Sequence, residues 1–323
     1  NKVIKRLTGV ILSLIFLGVM VGTASAQVYE LCTGRVTLAM PDGTPVDAWG
    51  FGIDDASVGC ATASVPGPML EVAAGPGLTV ILRNTLPDPV SLNILGQILS
   101  PNDGPVWSEL DGTGVANQRA VNNYTARMRS FAHEADPNGG TATYTWPNFK
   151  PGTYMLTSGT NPAKQVQMGL YAAVKKDAAP GVAYADNPDI PGDQSVRYDK
   201  ELILVYSEMD PVMQTAIDAG TYGYHADPVP AGWITSSLHR DPKYFLINGK
   251  AYPDAGLEQV IFADPYDRVL VRFLNAGYNT HVPQLLNMYM SLVAEDGNPY
   301  AYPREQYGIQ LPAGKTMDAI LTR

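Results

Sequence analysis

Leu78-Thr79-Val80-Ile81-Leu82-Arg83-Asn84 returns near the other end of the chain as Val269-Leu270-Val271-Arg272-Phe273-Leu274-Asn275, with apolar residues in step at alternate positions and Asn closing each copy. Alternation puts every second side chain on one face of an extended strand, so each copy reads as a strand with a buried face. Two copies imply two units of one β architecture. Around them, Val90–Ile94, Ala142–Trp146, Leu202–Tyr206 and Met317–Leu321 are short apolar or alternating runs bounded by Gly, Pro, Asn or Asp. With 31 Gly and 26 Pro as punctuation, the pattern is that of sheets joined by turns. The one helical candidate, Pro211–Ala219, is about two turns long. The expected fold class is all-β, as tandem Greek-key β-sandwiches.

The chain divides by composition. Lys2, Lys5 and Arg6, an apolar run from Val10 to Val21, and Ala24-Ser25-Ala26 form the three parts of a secretory signal, so residues 1–26 are expected to be a leader cleaved after Ala26. The apolar run is shorter than the roughly 20 residues a membrane span needs, and no later stretch is long enough. A periplasmic or secreted protein is therefore expected, without a membrane span after cleavage. The first domain is expected over 27–175 and the second over 200–323. Between them, 176–199 is rich in Pro, Gly, Ala and Asp without periodicity, and reads as a linker.

Formal charge is −9, becoming about −12 once the three basic leader residues are removed. Nucleic acid and anionic lipid both require a basic footprint, which this excludes as the main interaction. Two cysteines are present, Cys32 and Cys60. In an oxidising compartment such an isolated pair reads as a structural bridge, with free thiols the other possibility.

Ser91-Leu92-Asn93-Ile94-Leu95-Gly96-Gln97 and Gly152-Thr153-Tyr154-Met155-Leu156-Thr157-Ser158-Gly159 carry a further signal. Together with Pro66–Asn84, Gln165–Val174, Tyr244–Gly249, Arg268–Gly277, Leu292–Pro299 and Leu311–Leu321, their order and spacing resemble the multicopper oxidase family from about Val65 onward. The resemblance implies cupredoxin-like domains. It also implies that Asn93, Leu95, Thr157 and Gly159 occupy the places where the family's first domain has four copper-binding histidines. Leu95 is expected to have joined the core. Ser158 and Gln165 fall near where a cupredoxin hairpin with a type 1 copper has its Cys and second His. The second domain reaches Arg323 just after Thr316–Leu321, so an incomplete sandwich with an unpaired edge there, and a longer open reading frame, are expected.

Of the histidines, His133, His225, His239 and His281, none stands two residues from another. Lone histidines in such loops read as surface residues. Met288 and Met290 sit at strand spacing, and with His281 they form a candidate Cu(I) set, since that soft ion accepts thioethers. The competing reading is Met filling a sandwich core. No phosphate loop, zinc-protease pair or catalytic dyad is recognisable, so no catalytic residue is assigned. The leading expectation is an exported, non-enzymatic binding or scaffold protein that binds no cofactor through this segment. The alternatives are a copper-dependent oxidoreductase whose ligands lie in a further C-terminal domain, and a Met/His copper carrier. A protein partner is expected, with the long 100–140 loop as the first candidate surface.

Overall fold

The computed structural model describes residues 26–55, 59–75, 77–109, 126–189, 192–223, 228–255, 261 and 263–321. All but the last residue of the expected leader lie outside this range, as do His225 and the middle of the 100–140 loop.

The first unit contains β1 (Gln27–Ala39), β2 (Pro45–Ile53), β3 (Leu70–Val72), β4 (Leu78–Asn84), β5 (Leu92–Ile94), β6 (Val106–Glu109), β7 (Ala126–Ser130), β8 (Gly140–Trp146), β9 (Gly152–Ser158), α1 (Pro162–Met168) and β10 (Tyr171–Lys176). Four strands in the order β2-β1-β4-β8 form one sheet and four in the order β3-β10-β9-β5 form another. The sheets face each other across a core to which the first supplies Leu31, Leu78, Val80, Leu82, Tyr144 and Trp146, and the second Leu70, Val72, Leu92, Tyr154, Leu156 and Val174. In β4 the buried positions alternate, as the sequence pattern requires of a strand with one face inward. The fold is all-β, as expected.

β9 and β10 behave differently, because every residue in them is buried. Tyr154, Leu156 and Val174 point into the first core, while Met155, Tyr171 and Ala173 pack on the opposite face against Val205, Leu246 and Leu274 of the second unit. A strand covered on both sides loses the polar half of its alternation. The molecule therefore has three layers, with the β3-β10-β9-β5 sheet in the middle.

The outer layer belongs to residues 200–321. After β11 (Val182–Tyr184) and β12 (Val196–Arg197) come β13 (Lys200–Met209), α2 (Pro211–Asp218), β14 (Tyr244–Ile247), β15 (Lys250–Ala251), β16 (Val269–Asn275), β17 (Met290–Glu295), β18 (Asn298–Gln306) and β19 (Thr316–Leu321). Seven of these form one sheet, β15-β14-β13-β16-β19-β17-β18. The edge expected beside Thr316–Leu321 is closed: β19 lies inside the sheet, with β16 on one side and β17 on the other. Residues 290–295 pair with β19 on its far side from β16, leaving β15 and β18 at the margins.

The stretch 176–199 connects the units, and parts of it are packed. β11 and β12 pair within it, and Ala183, Tyr184 and Val196 are buried against Leu270, Val293 and Ile320. Strands of three and two residues are too short to show a period in the sequence.

The repeat is structural down to its terminal asparagines. β4 pairs parallel with β1 and antiparallel with β8, and β16 pairs parallel with β13 and antiparallel with β19. Asn84 is fully buried; its Nδ2 donates to the Asp88 and Ala135 carbonyls, at 2.7 and 3.1 Å, and its Oδ1 accepts from the Leu86 N–H. Asn275 is also fully buried and repeats this with the Asn279 and Leu311 carbonyls, at 2.7 and 3.0 Å, and the Gly277 N–H. In each unit one amide satisfies the turn that follows the strand, as buried backbone groups demand.

A buried ionic cluster ties the layers together. Arg272 of β16 is fully buried, with Nε 2.9 Å from Glu201, Nη2 2.6 Å from Asp177, and Nη1 donating to Thr153 Oγ1 at 2.9 Å. Thr153 of β9 in turn donates to Asp318 of β19 at 2.7 Å, and Tyr184 also donates to Asp318. Burial acts to lower the Arg272 pKa, but the three carboxylates outweigh it and hold the guanidinium charged. For Asp318 burial wins over the attraction of Arg272, and its pKa is raised.

Candidate functional site

Asn93 and Thr157 are brought together by register. β5 and β9 run antiparallel with Asn93 opposite Thr157, and the Leu95 N–H donates to the Met155 carbonyl at 3.2 Å just beyond the last pair. Leu92, Ile94 and Leu156 fill the first core, so the alternate residues Asn93, Leu95, Met155 and Thr157 share the opposite face. That face is the wall of a pocket of about 400 Å³. Phe131 lines it on one side, α1 contributes Ala163, Val166 and Gln167, and Ala276, Tyr278 and Gly314 of the second unit complete it. The Tyr278 hydroxyl donates to the Ala163 carbonyl at 3.1 Å, fastening the second unit to α1 at the rim.

Leu95, expected in the core, lines this pocket and is 37% exposed. It follows the last residue of β5 and begins a turn, so it escapes the covered part of the sheet.

Gly159 lies at the end of the same face, where its N–H donates to the Ser91 carbonyl at 3.1 Å. A Cβ built there would stand 2.7 Å from Ser91 Oγ. Ser91 cannot move aside freely, because its Oγ is 2.6 Å from Ser130 Oγ and accepts from Thr160 Oγ1 at 3.1 Å. Glu134 Oε1, 3.0 Å away, is a second acceptor for the same Thr160 hydroxyl proton. Ser158 donates to Gln165 Oε1 at 2.6 Å, and the Gln165 amide donates to the Pro89 carbonyl at 2.8 Å. This hydroxyl layer is satisfied by its own members.

Copper in such a family takes imidazole, thiolate or thioether ligands. The face presents an amide at Asn93, an alkyl chain at Leu95, a hydroxyl at Thr157 and no side chain at Gly159, with Ser91 filling the space above it. This donor set does not fit copper. Among the described residues no group of three or more His, Cys, Asp or Glu is arranged to hold a metal ion.

The Met and His candidates are dispersed. His281 Nε2 is 2.7 Å from Oε1 of the buried Glu208, whose carboxylate also accepts from the Tyr278 N–H at 2.8 Å, and its ring lies 5.2 Å from that of Tyr206. It lines a pocket of about 410 Å³ with Tyr206 and Phe245. Met288 lines a different, smaller pocket beside Asp264 and Asp267, and Met290 is buried among Leu292, Ile309 and Leu311. His133 stacks on Tyr144 with centroids 4.6 Å apart, and His239 sits in a short 3₁₀ turn. Cys32 and Cys60 are disulfide-bonded with Cα atoms 5.7 Å apart.

The profile of the multicopper oxidase family matches residues 223–323. That part of the chain is similar to the multicopper oxidases. Across the described chain the fold is that of the same group. The blue copper oxidase of Nitrosomonas europaea superposes with a TM-score of 0.62 at 19% identity, covering 92% of this chain and 76% of that one. The multicopper oxidase mgLAC gives a TM-score of 0.62 at 19% identity, covering 92% and 75%. Fet3p, a multicopper oxidase that functions in iron import, gives 0.58 at 15% identity, covering 91% and 45%. No curated protein sequence matches the chain.

Sequence reading found Asn93, Leu95 and Thr157 but not their pocket partners. Ala276 and Tyr278 stand more than a hundred residues away, and no local signal joins them to β5. The repeat offers one clue, since it makes Asn275 a strand end and the turn after it forms the pocket's far wall.

Proposed function

We propose that this is an exported, multicopper-oxidase-like protein whose β5–β9 face serves binding or scaffolding and holds no copper. The observation that carries this is the walled position at Gly159, beside a face whose side chains are amide, alkyl and hydroxyl. Export is supported by the leader pattern in residues 1–26 and by the Cys32–Cys60 disulfide, which suits an oxidising compartment. Among the described residues no helix is long and apolar enough to cross a membrane. A protein partner would meet the 100–140 segment, in whose described part Met128 and Phe131 are exposed.

The test is metal analysis of the chain produced in an oxidising compartment, loaded with excess copper and dialysed. Well under one copper per chain and no intense blue absorption band is the expected result. Two or more retained copper ions per chain would sink the proposal. A second reading, copper-dependent oxidation through ligands outside the described residues, is favoured by the family match of residues 223–323. It predicts copper in the protein isolated from its source, with the Asn93 and Thr157 face uninvolved.

A further inference from the structure

We infer that the β5–β9 face binds a small, uncharged organic molecule with an apolar body and one hydrogen-bonding head. This rests on the reading that the face holds no copper. Its volume of about 400 Å³ falls within the roughly 300–1,000 Å³ typical of small-molecule sites. Leu95, Phe131, Met155, Val166 and Ala276 make most of its wall.

Polar groups are few and converge. Thr157 and Gln167 are each only 6% exposed, and Asn93 is half-buried beside them. Among the described residues none forms a hydrogen bond with the side chains of Asn93, Thr157 or Gln167, although all three line the pocket. None of the three has an orphaned buried atom, so their polar ends are open to the pocket, where a ligand head that both donates and accepts can meet them.

Among the described residues the lining contains no Asp, Glu, Lys, Arg or His. A charged ligand would lose its hydration here without gaining a counter-charge, whereas a neutral one would not. The walls come from both units, so an occupant would also brace the Tyr278–Ala163 contact at the rim.

The experiment titrates the intact chain with the neutral fluorophore N-phenyl-1-naphthylamine and, separately, with the anionic 8-anilinonaphthalene-1-sulfonate. Saturable binding of one neutral dye per chain is expected, at least tenfold tighter than the anion. Ala163→Trp, at an exposed position of α1 on the rim, should weaken the neutral dye tenfold or more, and Thr157→Val should weaken it several-fold with the shape kept. Circular dichroism and unchanged melting temperatures show that both variants are folded. Equal binding of the two dyes, or Ala163→Trp binding like the parent, overturns the inference. So does loss of dye uptake when the chain dimerises, which would make the face a protein-docking surface. Metal analysis of the same preparation separates the two failures: stoichiometric copper removes both readings, while no copper and no dye removes this one alone.

Discussion

At position 159 the absence of a side chain is a packing requirement. The space a Cβ would enter is held by Ser91, whose hydroxyl is locked to Ser130 and Thr160. Gly159→Ala should therefore destabilise the fold by about 1–3 kcal/mol, the usual range for overfilling a packed site. Combining it with Ser91→Ala should restore part of the loss, which urea unfolding of the two single variants and the double variant would show. If Gly159→Ala is neutral, the hydroxyl layer is looser than described and an imidazole could be accommodated. The sequence made Gly159 visible only as a place where a histidine was missing. Its wall comes from Ser91 and Ser130, which are distant in the chain and unremarkable in composition. Leu95 shows the complementary limit, since apolarity suggested core and only the turn that follows β5 puts it at a pocket instead.

At the scale of elements, the reading from sequence was strongest where one face is buried. β4 alternates and is legible with its bounds, while β16, buried along its whole length, is legible from its own apolar run and from its likeness to β4. The strands that were hardest to interpret are those in the middle layer, because β9 and β10 are covered on both faces and carry no polar alternation to show which side is which. β11 and β12 were missed because two or three residues cannot display a period. β1 is also tied covalently, as Cys32 within it is bonded to Cys60 in the connection after β2. That bond closes a loop of 28 residues. On the chain-entropy estimate it should contribute about 3.6 kcal/mol. The variant Cys32→Ala/Cys60→Ala, unfolded in urea beside the parent, checks the figure, and equal midpoints would mean that the bridge does not constrain the unfolded chain.

For the whole molecule, the Arg272 cluster makes the joint between layers sensitive to pH. Asp318 binds its proton more tightly in the fold than the ordinary value of 3.8 would give, chiefly because it is buried. A raised carboxyl contributes stability that is fully present below the unfolded pKa and is lost as pH rises through the folded one. The stability difference between the parent and Asp318→Asn should therefore shift against the parent as pH rises from about 4. It should level off once Asp318 is ionised. Urea midpoints measured across this range decide it, and a constant difference would show that Asp318 titrates normally. The three-layer arrangement has a further consequence, in time rather than energy. β1 meets β4, and β13 meets β16, as parallel partners only after the intervening elements have been looped out. Such non-local pairings form slowly. Any intermediate in which the first unit has formed before the outer sheet docks would expose Met155, Tyr171 and Ala173, an adhesive patch whose losses grow with concentration.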